Sequence, residues 1–211
     1  MIIVSKDLST KFGAVRIQGQ RPSCLAFAAS DLNRFLNEHS EELSVEYLLH
    51  HAVKAMSNWT TTSGLTIEAV LDALAQPGQP EEKLYGYQPS VPEFPLACPP
   101  TLSPLYTSTC DDRGLTIEQI VTKISEGTPV CIGVRMTYEF FTPVDGIVGD
   151  SLNCPTGMGH AILVVGIGLH DVNGMEYFLV RNSWGPGWAK NGYAWLSKQY
   201  LTNHLLASFT A

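Results

Sequence analysis

Apolar positions recur at helical spacing through the first part of the chain and at strand spacing through the last. After Ser23, the residues Phe27, Ala28, Leu32, Phe35 and Leu36 fall on one face, predicting a helix from Cys24 towards Glu38 capped by Ser23. Ser44 precedes a second such face made by Val45, Leu48, Leu49, Ala52, Val53 and Met56. Thr66 precedes a shorter one made by Ile67, Val70, Leu71 and Leu74. From Pro77 to Pro104 the pattern is broken by prolines, which exclude helix or central strand and predict a long ordered crossing between two lobes. Thr116 then opens a helix (Ile117, Ile120, Val121, Ile124) stopped near Gly127 and Pro129. Beyond it Val130, Ile132 and Val134 alternate with Cys131, Gly133 and Arg135, and the runs Ala161–Ile167, Tyr177–Val180 and Tyr193–Leu196 are bounded by turn residues. Helices followed by antiparallel strands predict an α+β chain with a cleft between a helical lobe, about residues 14–100, and a β lobe, about 101–211.

Composition narrows the function classes. The 211 residues are 45% hydrophobic, enough for a sizeable core. With 13 Lys+Arg against 20 Asp+Glu the net charge is −7, and no basic cluster offers a footprint for nucleic acid or an anionic membrane. The longest apolar run, Ala161 to Gly168, is strand-sized, well short of the roughly 18 residues a bilayer needs. The opening MIIVSKDLSTKF lacks the pattern of a secretory signal, so the expectation is a chain not exported by that route or a piece of a longer one. Five cysteines (Cys24, Cys98, Cys110, Cys131, Cys154) leave one over after any full pairing, which makes a working thiol plausible chemistry. Neither a C-x-x-C pair nor a tight Cys/His cluster suggests a metal, and no cofactor is expected.

Three residues carry candidate chemistry. Cys24 stands at a predicted helix start, where the partial positive charge of the N-terminus favours thiolate. His160 opens an apolar strand after Gly157-Met158-Gly159, and Asn182 follows another strand in Arg181-Asn182-Ser183-Trp184-Gly185-Pro186-Gly187-Trp188. Singly, each reads as a small hydrophobe, a structural histidine and a turn residue. In this order, and with Gln18 six residues before Cys24, the chain resembles the papain-like cysteine peptidases. VRIQGQRPSCLAF, LSVEYLLH, PVCIGV, Asp145-Gly146-Ile147-Val148, GHAILVVGIG and YFLVRNSWGPGWAKNGYAWL all have counterparts in that family's order, across residues 15 to 197.

The resemblance implies a single papain-like catalytic domain over 1–211 and a thiol endopeptidase. By it, Cys24 is the nucleophile, His160 its base and proton donor, Asn182 the group that orients the ring, and Trp184 the indole shielding the Asn–His contact. Gln18 would donate to the oxyanion together with the Cys24 N–H. Gly133 and Gly159 would line the S2 pocket, Gly64 would lie in the loop pairing with an extended substrate, and Trp188 would stand near the leaving-group side or simply pack in the core. The chain departs from the family at Arg21 and Pro22 (usually Cys and Gly), Leu25 (usually Trp), His51 (usually a paired Cys) and Ala207, near the expected partner of Cys154. Lost bridges favour a reducing, cytosolic site of action, although a local Cys98–Cys110 bridge stays open. The expected partners are a protein or peptide substrate and a proteinaceous inhibitor or immunity protein. The latter suits a toxin or effector domain without its own pro-segment. Two alternatives remain: Cys-His acyl transfer on a glutamine side chain (deamidation or transamidation), and a non-catalytic binding module on the same fold.

Overall fold

The computed structural model describes residues 1–90, 99–154 and 158–211. Cys98 and Gly157 lie outside them, as does the part of the proline-rich stretch around Pro92 and Pro95. The chain divides into two compact units, Ile17–Cys110 and a second made of Met1–Arg16 with Asp111–Thr210.

The first unit is helical: α1 (Cys24–Leu36), α2 (Val45–Lys54) and α3 (Ile67–Ala75). The Ser44 hydroxyl accepts the Tyr47 N–H at 3.1 Å and the Thr66 hydroxyl accepts the Ala69 N–H at 3.3 Å, so both helices start where the sequence predicts. Ser23 differs. It occupies the N-cap position of α1 but makes no capping bond; its hydroxyl instead meets the Tyr87 hydroxyl at 2.6 Å. The proline-rich stretch also differs from expectation. Gln79, fully buried, donates to the Ser30 hydroxyl and the Ser44 carbonyl and accepts from Asn33, each at 2.9 Å, while its backbone pairs with Tyr106. These bonds fasten the described part of the stretch to α1 and α2, within the helical unit rather than as a crossing.

The second unit is built on a sheet of seven strands among the described residues: β1 (Ile2–Asp7), β2 (Asp112–Arg113), β3 (Val130–Arg135), β4 (Gly159–His170), β5 (Glu176–Arg181), β6 (Tyr193–Ser197) and β7 (Leu205–Thr210). Their order is β2-β7-β3-β4-β5-β6, with every pairing antiparallel. β1 continues the edge of β4 beyond β3, pairing Ile2 with His170 and Asp7 with Gly166. That approach needs glycine: a Cβ on Gly168 would fall 2.7 Å from the Ile3 carbonyl oxygen. Among the described residues, three α-helices and a 3-10 turn at Ser9–Lys11 complete the unit: α4 (Ile117–Glu126), α5 (Tyr138–Phe141) and α6 (Lys198–His204). α4 has a full capping box between Thr116 and Gln119 and ends on left-handed Gly127.

The strand alternation sorts residues by face. Ile132 and Val134, Ile162 and Val164, Phe178 and Val180, and Ala194 and Leu196 all enter one core with Ile120 and Ile124 of α4 and Tyr200 and Leu201 of α6. Burying each of the Val, Leu, Ile and Phe side chains among them contributes about 1.5–3 kcal/mol. Arg181, 2% exposed, reaches out from β5 to the carbonyls of Gly13 (2.9 Å) and Ala14 (3.0 Å), which fixes the segment leading to Ile17.

Candidate active site

His160 is the second residue of β4, paired with Val134 and on the same strand face as Ile162 and Val164. Its ring is 5% exposed. Asn182 directly follows β5, and its backbone N–H donates to the Gly192 carbonyl at 3.0 Å, closing the Ser183–Asn191 loop beneath it. The Asn182 Oδ1 lies 2.7 Å from Nε2 of His160 and also accepts the Ser183 backbone N–H at 2.8 Å. A backbone N–H can only donate, so that atom is the amide oxygen, and Nε2 must carry the hydrogen it shares with it. Nδ1 is then the basic nitrogen of the neutral ring.

Aromatic rings enclose this pair. Trp184 lies 4.8 Å from the His160 ring, tilted by 34°, with Phe141 stacked on the indole at 5.5 Å. Phe140 meets His160 edge-on at 5.7 Å and Trp184 at 5.5 Å. His160 and Asn182 are both buried, at 5% and 3% exposed. Phe140 and Phe141 were not singled out from the sequence; the aromatic doublet of the short α5 was the available signal.

In the helical unit Cys24 is the first residue of α1, partly exposed, with no acidic side chain in the first turn to offset the positive helix end. Gln18 is buried and donates Nε2–H to the Arg21 carbonyl at 2.9 Å, which sets the plane of its amide. Arg21, 3% exposed, forms a buried ion pair with Glu46, 8% exposed. Pro22 follows it on the path into Ser23 and Cys24.

The remaining candidates separate. Gly133 and Gly159 share a face of the sheet opposite the core, one through its pairing with Ala161 and the other two residues earlier on β4. A Cβ on either would touch Leu206, at 4.0 Å and 3.5 Å, so that half-exposed leucine flanks both glycines and was missed from the sequence. Gly64 is exposed in the turn before α3, with nothing within 4 Å of a Cβ placed there. Trp188 is 7% exposed, packs on Phe140 at 5.2 Å and donates its indole N–H to the Phe140 carbonyl at 3.0 Å, so it belongs to the core. Cys154 faces Nδ1 of His204 at 3.7 Å rather than another thiol. Among the described residues no group of three or more His, Cys, Asp or Glu side chains is arranged to hold a metal ion.

The family model described as papain family cysteine protease matches residues 4–208. The chain belongs to that family. This papain-family chain is 27% identical over 185 residues to cathepsin B-like CP3 of Giardia intestinalis, covering 83% of itself and 61% of that relative. It is 27% identical to the probable cysteine protease RDL6 of Arabidopsis thaliana (88% and 52% covered) and 29% identical to cathepsin J of Mus musculus (90% and 58%). The chain thus spans between half and about three fifths of these curated relatives. Among solved structures, xylellain, a cysteine protease from Xylella fastidiosa, superposes with a TM-score of 0.75 at 22% identity, covering all of this chain and 87% of that one. The Carica candamarcensis cysteine protease CMS1MS2, solved in complex with E-64, gives 0.74 at 23% identity, with 97% and 95% covered. At these identities the structures establish the α+β papain-like fold.

Proposed function

We propose that the chain is the catalytic domain of a cysteine endopeptidase. The observation that carries this reading is the double acceptance at Asn182 Oδ1, which leaves Nδ1 of His160 as the ring's base. In the proposed mechanism Nδ1 takes the Cys24 proton, and the thiolate attacks a peptide carbonyl carbon. Negative charge on the carbonyl oxygen is met by the Cys24 N–H and the Gln18 side-chain amide. His160 returns the proton to the leaving amine, and water attack on the resulting thioester regenerates the enzyme. Asn182 keeps the ring in plane throughout, and Trp184 keeps solvent from their bond.

The proposed substrate is a protein or peptide bound as an extended strand, its backbone running past Gly64 and its P2 side chain seated over Gly133 and Gly159 against Leu206. A proteinaceous inhibitor or immunity partner is included, as restraint on an endopeptidase that acts as a toxin or effector. Action in a reducing compartment is favoured by Cys154, which meets an imidazole instead of a disulfide partner. Wild type and Cys24→Ala incubated with a proteome distinguish the chemistries by mass spectrometry. Cys24-dependent new peptide termini are expected. Unit mass shifts on glutamine would replace this reading with side-chain acyl transfer, and no Cys24-dependent product would leave a binding module.

A further inference from the structure

Tyr87 lies far along the chain from the proposed machinery, yet its hydroxyl touches both ends of the Gln18–Ser23 loop. It donates to the Gln18 carbonyl at 2.8 Å and meets the Ser23 hydroxyl at 2.6 Å. The Gln18 carbonyl can only accept, so the Tyr87 proton goes to it, and Ser23 must then donate to the Tyr87 oxygen. The result is a directed relay, Ser23 O–H to Tyr87 O–H to Gln18 C=O. The Ser23 hydroxyl is thus directed to Tyr87, and its oxygen accepts no N–H of α1. Burial pushes the Tyr87 phenol above its ordinary value, which keeps the donating proton in place.

The segment carrying Tyr87 is itself clamped. The Tyr87 and Gln88 N–H groups donate to Glu82 (2.7 Å) and Glu46 (3.2 Å). Arg21 pairs with that same Glu46, donates to the Gln88 carbonyl at 2.7 Å and lays its guanidinium 5.0 Å from the Tyr87 ring centroid. Phe27 of α1 meets the ring edge-on at 4.8 Å. Gly19, at φ +65°, lets the loop lie directly on this segment, since a Cβ there would come within 2.7 Å of the Pro89 carbonyl oxygen.

We propose that Tyr87 is a positioning residue for the oxyanion site, its hydroxyl tying the backbone of Gln18 to the entry of α1 so that the Gln18 amide and Cys24 N–H are held in one rigid piece. This inference rests on the roles proposed above for Cys24 and Gln18. It assigns the Arg21–Glu46 pair the task of holding the Tyr87 segment in register.

A double-mutant cycle tests it, using a fluorogenic peptide amide that wild type cleaves. Tyr87→Phe keeps the ring and removes only the relay. Its kcat should fall about tenfold, the rate equivalent of one transition-state hydrogen bond, with KM changed less than about twofold. Alkylation of Cys24 by iodoacetamide, which builds no carbonyl oxyanion, should keep its wild-type rate. The Gln18→Ala/Tyr87→Phe double variant should be no slower than Gln18→Ala alone. Wild-type kcat in Tyr87→Phe, a loss that multiplies with that of Gln18→Ala, or an equal fall in alkylation would each overturn the proposal while leaving the site assignment standing. Wild-type kcat in Gln18→Ala would remove the assignment and the inference together. If Tyr87→Phe does not fold, Ser23→Ala decides: a fall in kcat at constant KM supports the relay, and an unchanged kcat overturns it.

Discussion

Asn182 holds His160 through an oxygen that is itself pinned by the next backbone N–H, so the imidazole is anchored to a corner of main chain and not to a free side chain. On the proposed mechanism, Asn182→Ala leaves the ring free to turn and to exchange tautomers. Its kcat should drop on the order of 10²-fold, the low end of what a positioned proton-transfer group contributes. Steady-state kinetics on a peptide amide check this, and a kcat within twofold of wild type would remove Asn182 from the mechanism.

The same mechanism requires the thiol of Cys24 and Nδ1 of His160 to come within reach of one small reagent. 1,3-Dibromoacetone alkylates a thiolate first and can then join its second carbon to a neighbouring imidazole nitrogen. Peptide mapping should show a Cys24–His160 cross-link in wild type. His160→Ala should give only a singly attached adduct.

The buried Arg21–Glu46 pair makes a stability prediction that is asymmetric. Arg21→Met takes the counter-charge from the buried Glu46 carboxylate and a donor from the Gln88 carbonyl, at about 3–5 kcal/mol. Replacing both partners, Arg21→Met with Glu46→Leu, should recover most of that loss, because the desolvated charge goes with its partner. Urea unfolding of the two variants measures the difference.

Acid should weaken the helical unit through His51. Burial, the neighbouring His50 and Lys54 lower its pKa below 6.5. The unfolded chain therefore binds the proton more readily, so the stabilisation is complete above pH 6.5 and is lost as pH falls through the depressed folded value. His51→Gln should flatten that part of the stability–pH curve measured by thermal melts.

At the alkaline end Tyr200 behaves in the opposite sense. Fully buried, with its hydroxyl donating to the Arg135 carbonyl at 3.0 Å, it is pushed up to about 12. Its contribution is complete below the ordinary tyrosine value of 10.0 and is lost as pH rises towards the folded value. Absorbance titration of wild type minus Tyr200→Phe should show that one phenol ionising last.

What could be read from the sequence was set by the range of the interactions involved. α2, α3 and α4 were legible because Ser44, Thr66 and Thr116 bond to N–H groups three residues away. β1 was not: it is an edge strand whose Ile3 and Val4 are 61% and 50% exposed, so no buried face imposes an alternation. β7 lies between β2 and β3, a position fixed only by distant pairings. Of the residues in the proposed mechanism, Cys24, His160 and Asn182 stood in ordered sequence motifs. Tyr87 did not, because its partner Gln18 is 69 positions away and nothing local marks the contact. Ser23 was read as a cap on the general preference for serine there, but its hydroxyl is turned to Tyr87, 64 positions away, and caps nothing.

The interleaving of the two units along the chain has a consequence for order in time. β1 is made before the strands it joins: Ile2 pairs with His170, and the sheet lacks β7 until Thr210 has been made. Apart from Ala211, the helical unit is one stretch of chain, Ile17 to Cys110, and that stretch is made long before then. α1, with Cys24 at its head, is therefore made together with α2 and α3, the helices it packs on, while β1 still has no partner strand.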